Sequence, residues 1–98
     1  MVEVLITRTF EKVFRKLDRK VQGKVIEHLG ILANNPMIGK LLKGYYSIRV
    51  EDQLLRVKLR SLRVDDYRVI YWYDVLRNRV ILLLIGHRKQ VYKLLRRL

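Results

Sequence analysis

The sequence predicts an α+β fold: an N-terminal strand, an antiparallel helical hairpin packed on an antiparallel β-meander, and a short C-terminal helix, in the order β-α-α-β-β-β. Three observations predict it. Apolar residues recur at the helical period from Phe10 to Leu32. Beyond Gly44 the period drops to two, and the chain closes on an unbroken apolar run, Val80 to Ile85. The single proline, Pro36, stands between the two regimes, where it ends the helical one.

Residues 2–7, VEVLIT, are β-branched and partly alternating, as a first strand requires. Thr7 or Thr9 can then cap a helix whose stripe is Phe10, Val13, Phe14 and Leu17, set between Lys12, Arg15 and Lys16. Asp18 caps a second helix, with Val21, Val25, Leu29 and Leu32 on its apolar side, until Asn34-Asn35-Pro36 stops it. So short a connection folds the two helices into a hairpin. Residues 37–47 form a loop containing Gly39 and Gly44, and YYSIRVEDQ at 45–53 can add a strand of unassigned register.

In LLRVKLR at 54–60, Leu55, Val57 and Leu59 point one way while Arg56, Lys58 and Arg60 point the other. The alternation slips at Ser61, since Leu62 and Val64 fall on the even count, and a β-bulge near Arg60–Leu62 would account for it. Val64-Asp65-Asp66 turns into YRVIYWYD at 67–74, with Arg68, Ile70 and Trp72 on one face and Tyr67, Val69, Tyr71 and Tyr73 on the other. A second turn, Leu76-Arg77-Asn78, leads into RVILLLIG at 79–86. A strand apolar on both faces belongs inside a sheet. The tail RKQVYKLLRRL forms a last short helix. The helical hairpin is expected to cover one face of the meander and to leave the other partly open.

Ninety-eight residues make a single domain, 1–98. A chain of this size buries roughly 60–65% of its unfolded surface, enough for a stable core. The 22 Lys and Arg against 9 Asp and Glu give a formal charge of +13, which repels itself and calls for a polyanionic partner. Nucleic acid is the first candidate, because a thermophile's charged surface carries Glu in near balance with Lys and Arg. The chain has no cysteine, so disulfides and thiolate metal sites are excluded. There is no basic segment leading into a long apolar stretch, and no apolar run near the ~20 residues that span a bilayer. A soluble, cytoplasmic protein without a membrane partner is expected. No His pair or suitably spaced carboxylate predicts a metal, and no Gly-rich phosphate loop or G-x-S-x-G elbow is present. No cofactor is expected.

The candidates for chemistry are basic and aromatic. Arg56, Lys58 and Arg60 would line one strand face at spacings of about 7 Å. Arg68 follows on the next strand beside Trp72, and Arg88 and Lys89 follow the strand after it, with Arg63 between. Such a surface suits phosphate oxygens, with Trp72 stacking a base. Tyr92 lies among these cations, and a phenol so placed can serve as a proton acceptor although its ordinary pKa is about 10. His87 is the one histidine near the cluster; His28, on the second helix, reads as structural.

With these residues in view, the chain resembles the RelE/ParE superfamily of bacterial and archaeal toxins, most closely its RelE-like branch. LRVDDYRVIYWYD at 62–74 is similar to the family's Arg-Val-Gly-Asp-Tyr-Arg-Val-Ile-Tyr segment, with Asp65 where glycine is usual. GHRKQVY at 86–92 is similar to the terminal His-Arg…Val-Tyr signature. The resemblance implies the toxin of a type II toxin–antitoxin pair, a ribosome-dependent and metal-independent endoribonuclease (an mRNA interferase) that inhibits translation by cutting mRNA in the A site. It implies that Arg68 contacts the scissile phosphate, that Arg88 is the arginine after the last strand, that Tyr92 activates the 2′-hydroxyl, and that Arg56 and Lys58 stand for paired basic residues on the preceding strand, with Arg68, Lys58 and Arg88 stabilising the charge. His87 or a neighbouring cation would be the acid. The implied partners are a cognate acidic antitoxin, mRNA and the ribosome. A ParE-like toxin that inhibits DNA gyrase by binding, or a catalytically inactive RNA-binding relative, remains the alternative.

Overall fold

The computed structural model describes residues 2–98. It begins with β1 (Glu3–Ile6), α1 (Arg8–Arg15), α2 (Arg19–Asn34) and β2 (Lys40–Leu41). Then come β3 (Tyr46–Val50), β4 (Gln53–Val57), β5 (Arg60–Val64), β6 (Tyr67–Asp74), β7 (Arg79–His87) and α3 (Arg88–Leu95). The caps are the ones the sequence predicts. Thr7 Oγ1 accepts from the Phe10 amide at 3.3 Å and donates to the Leu82 carbonyl at 2.8 Å, so one hydroxyl both starts α1 and fixes it to β7. Asp18 accepts from the Lys20 amide at the start of α2, and Asn35 ends that helix beside Pro36.

The main sheet runs β1-β7-β6-β5-β2. β7 lies inside it, as its two apolar faces require. β1 pairs with β7 in parallel, Val4 opposite Val80, while the other pairs are antiparallel. α1 and α2 cover one face through Phe10, Val25 and Leu32, which meet Val69, Tyr71 and Leu82.

The other face is more covered than the sequence suggests. β3 and β4 form a separate two-stranded hairpin. Its two-residue turn, Glu51-Asp52, has φ of 49° and 66°, as a type I′ turn demands. This hairpin and α3 bury Ile48, Leu59, Ile70, Leu84, Val91 and Leu95 in a second core. Arg79 ties the hairpin tip to the main sheet, 3.0 Å from Glu51 and 3.5 Å from the buried Asp74.

The run LLRVKLR is therefore not one strand. β4 ends at Val57, Lys58 and Leu59 link the two sheets, and β5 starts at Arg60. The slip at Ser61 marks this change of sheet rather than a bulge. The register irregularity of the sheet lies instead between Ile70 and Tyr71, which pair with Leu84 and Leu82. Leu83 is the extra residue, and it lets Leu83 and Leu84 both reach the second core.

The loop before β2 is closed by one phenol. Tyr71 is buried; its hydroxyl donates to the Pro36 carbonyl at 2.7 Å and accepts from the Gly39 amide at 2.9 Å. Burial pushes this phenol above its ordinary pKa. A Cβ on Gly39 would stand 2.7 Å from the Tyr71 ring and hydroxyl. Gly39→Ala is expected to cost about 1–3 kcal/mol by overpacking, read as a lower urea midpoint at unchanged slope. A midpoint equal to wild type would show that the loop moves aside freely.

Candidate active site

The short β5–β6 turn organises the site. Asp65 adopts φ of 54°, a left-handed conformation that glycine takes at less cost. The Arg68 guanidinium folds back on this turn, Nη1 donating to the Asp65 and Tyr67 carbonyls at 2.8 Å each. The Arg88 amide donates to the Asp66 carbonyl at 2.8 Å, which fixes the start of α3 to the same turn. Lys24 of α2 reaches the Asp65 carboxylate at 2.6 Å. The hydrogen bond from Lys24 holds that carboxyl below its usual range and holds the ammonium above its own. The tie is therefore complete above the ordinary aspartate pKa and is lost as pH falls through the lowered one. Both groups are exposed, so it positions the turn more than it stabilises the fold.

Pairing brings the other members together. Arg63 stands directly opposite Arg68 across β5–β6, and Gly86 stands opposite Arg68 on β7, placing no side chain there. Ser61 precedes Arg63 on the same face of β5, roughly 7 Å away. The Ser61 hydroxyl is buried, and Tyr92 of α3 lies 3.0 Å from it, hydroxyl to hydroxyl. The Tyr92 ring packs against the second core while its exposed edge enters a groove of about 340 Å³. Arg88, Lys89, Tyr92 and Arg96 line that groove. Among the described residues, none of Arg63, Arg68, Arg88, Lys89 and Arg96 meets a carboxylate.

Five of the residues singled out from the sequence thus gather at one end of the sheet: Arg63, Arg68, Arg88, Lys89 and Tyr92. The others stand elsewhere. Arg56 is on β4 opposite Ser47, and the Lys58 ammonium sits 5.1 Å from the centroid of the Tyr45 ring. Arg60 faces the helical side with Tyr71, its guanidinium donating to the Met37 and Gly39 carbonyls at 3.2 and 2.8 Å. The shared cationic face of Arg56, Lys58 and Arg60 does not exist, because the chain changes sheet between them. Trp72 lies roughly 13 Å beyond Arg68 along β6. It borders a second groove of about 320 Å³ with Lys58, Arg60 and Tyr73.

His87 is also displaced. It pairs with Tyr67, so it lies on the opposite side of the sheet from Arg68, its ring edge-on to the Tyr67 ring at 5.9 Å. Its Nδ1 accepts from the Lys89 amide and caps α3. Two residues of the site escaped the sequence reading. Ser61 left only the slip in alternation, and Arg96 only its helical spacing from Arg88 and Tyr92. No group of three His, Asp or Glu side chains able to hold a metal lies among the described residues, and no helix is long and apolar enough to cross a membrane.

Residues 4–92 match the family described as the ParE toxin of type II toxin–antitoxin system, parDE. Among solved structures, the chain is similar to one in the toxin–antitoxin complex RelBE2 from Mycobacterium tuberculosis. The two share 28% identity over 89% of this chain and 91% of that one, with a TM-score of 0.69. The archaeal RelE–RelB complex from Pyrococcus horikoshii OT3 is similar at 21% identity, 91% and 97% coverage and a TM-score of 0.67. The isolated E. coli RelE toxin gives 23%, 95% and 93%, and 0.65. At those last two identities the likeness is one of fold. No curated protein shows significant similarity to the chain.

Proposed function

The chain belongs to the RelE/ParE superfamily of type II toxin–antitoxin toxins, and from that premise we propose that it is a metal-independent endoribonuclease cutting ribosome-bound mRNA. One observation carries the reading: the Tyr92 hydroxyl is seated on Ser61 beside cations that form no salt bridge among the described residues. Cleavage of RNA at its own 2′-hydroxyl needs a proton acceptor, donors for charge gathering on the phosphate, and a proton for the departing 5′-oxygen.

In this reading Tyr92 takes the 2′-hydroxyl proton as O2′ attacks phosphorus. Arg68 and Arg88 hold the non-bridging oxygens, and Arg63, opposite Arg68, supplies the supporting charge in place of the remote Lys58. The P–O5′ bond breaks, leaving a 2′,3′-cyclic phosphate and a 5′-hydroxyl. Arginine does not release protons near neutral pH, so Lys89 is the cation in the groove able to protonate O5′. Neutralisation falls to an acidic antitoxin, a partner supported by the likeness to a toxin–antitoxin complex. The ribosome enters as the surface that presents mRNA to the cationic end of the sheet.

The test is induced expression in cells followed by mapping of mRNA 5′ ends on ribosomes. Codon-phased ends are expected. The family description names ParE, which supports a second reading, a toxin that binds DNA gyrase. Intact mRNA together with supercoiling-deficient gyrase would select that reading and remove the nuclease. Within the nuclease reading, Ser61→Ala is expected to lower kcat about fivefold, the scale of one lost hydrogen bond, with KM unchanged. An unaltered kcat would mean that the Ser61 contact does not orient the phenol.

A further inference from the structure

The composition of α3 is costly for a helix in isolation. From Arg88 to Leu98 the helix and the turn that follows it carry Arg88, Lys89, Lys93, Arg96 and Arg97 and no Asp or Glu side chain. Two of these cations sit at its N-terminus, where the helix dipole disfavours positive charge. Lys89, Lys93 and Arg97 repeat at a spacing of four, where like charges repel. The stripe that faces the groove is Arg88, Tyr92 and Arg96, also at a spacing of four. Arg96 continues the helical path just past the end of α3, its amide donating to the Tyr92 carbonyl. The stripe thus presents a guanidinium, a phenol ring and a second guanidinium over about 12 Å along the helix axis.

We infer that Arg96 forms a second phosphate subsite, which binds the backbone of single-stranded RNA on the far side of Tyr92 from the phosphate held at Arg88. This rests on the nuclease reading above and deepens it. The groove's lining favours a polynucleotide over an acidic protein segment. Arg88, Lys89, Tyr92 and Arg96 offer three cationic heads and one flat ring, with no Leu, Ile, Val or Met pocket to anchor the apolar side chains of an amphipathic peptide. Guanidinium groups and an aromatic ring are what a sugar–phosphate chain with an unstacked base requires. Arg96 touches the substrate away from the reacting phosphate, so it sets affinity and register rather than chemistry.

The experiment measures binding of a fluorescent single-stranded oligoribonucleotide to the full chain across a range of KCl concentrations. Wild type is compared with Arg96→Ala, Arg96→Lys, and Lys12→Ala on α1 as a control. Arg96→Ala is expected to flatten the log–log salt dependence by about 0.7, the loss of one single-strand phosphate contact. Arg96→Lys restores the slope, because a point charge still neutralises a phosphate. Lys12→Ala keeps the wild-type slope. In cleavage assays Arg96→Ala raises KM at unchanged kcat, with an unchanged thermal melt.

If wild type binds RNA with a steep salt response and Arg96→Ala has the same slope, the subsite is wrong and the nuclease reading stands. A flat salt response in wild type would overturn both. If Arg96→Ala loses binding to a poly-glutamate peptide but not to RNA, the groove serves a protein partner and the inference fails.

Discussion

Replacing Arg68 by alanine is expected to slow cleavage of ribosome-bound mRNA by about 10²–10³-fold, the loss that follows removal of one preorganised donor to developing negative charge. The geometry explains why Arg68 should matter most among the arginines. Its Nη1 is held by the Asp65 and Tyr67 carbonyls, so the guanidinium is oriented before any substrate arrives. No side chain crowds it from β7, where Gly86 stands opposite, and Arg63 adds a second positive charge from β5. Arg68→Lys should fall between wild type and alanine, because an ammonium keeps the charge but loses the planar fork. Single-turnover rates with a parallel thermal melt separate chemistry from any loosening of the turn. A variant within threefold of wild type would take Arg68 out of the reacting centre.

Tyr92→Phe is expected to cost about 10²–10⁴-fold in kcat, the range for removing a general base. The substitution isolates the hydroxyl. The ring remains packed against the second core, and only the contact with Ser61 is lost. Tyr92→Ala would be a poorer test, since truncating a half-buried aromatic adds a packing loss of several kcal/mol. RNA affinity should change little in the phenylalanine variant. A cleavage rate equal to wild type would assign proton transfer to another group, and Lys89→Ala would then be the variant to measure.

Much of the architecture was legible in the sequence because local chemistry dictates it. Thr7 and Asp18 cap helices where a hydroxyl or carboxylate precedes an apolar stripe, and the doubly apolar run 80–85 could lie only inside a sheet. What was not legible depended on which sheet a strand joins. Leu55, Val57 and Leu59 keep a period of two straight through the point where the chain passes from one sheet to the other. Alternation slips only at Ser61, after the passage is complete, so Arg56, Lys58 and Arg60 seemed to share a face.

The candidate site divides in the same way. Arg63, Arg68 and Tyr92 are fixed by strand parity or helix spacing and are found together. Pairing with Tyr67 sends His87 to the opposite face, and adjacency to Arg88 in sequence could not reveal it. Ser61 was invisible as a site residue because a lone serine in a strand carries no signal until its partner is known.

The parallel pairing of β1 with β7 has a consequence in time. Thr7, whose hydroxyl caps the first helix, donates to Leu82, 75 residues away, and so joins the two ends of the domain. Contacts so distant along the chain form late, since the loop between them must close first. A nascent chain that has emerged only as far as β6 has no β7 for β1 to join and no α3 outside the ribosome. The groove beside α3 is thus the last part of this domain to assemble.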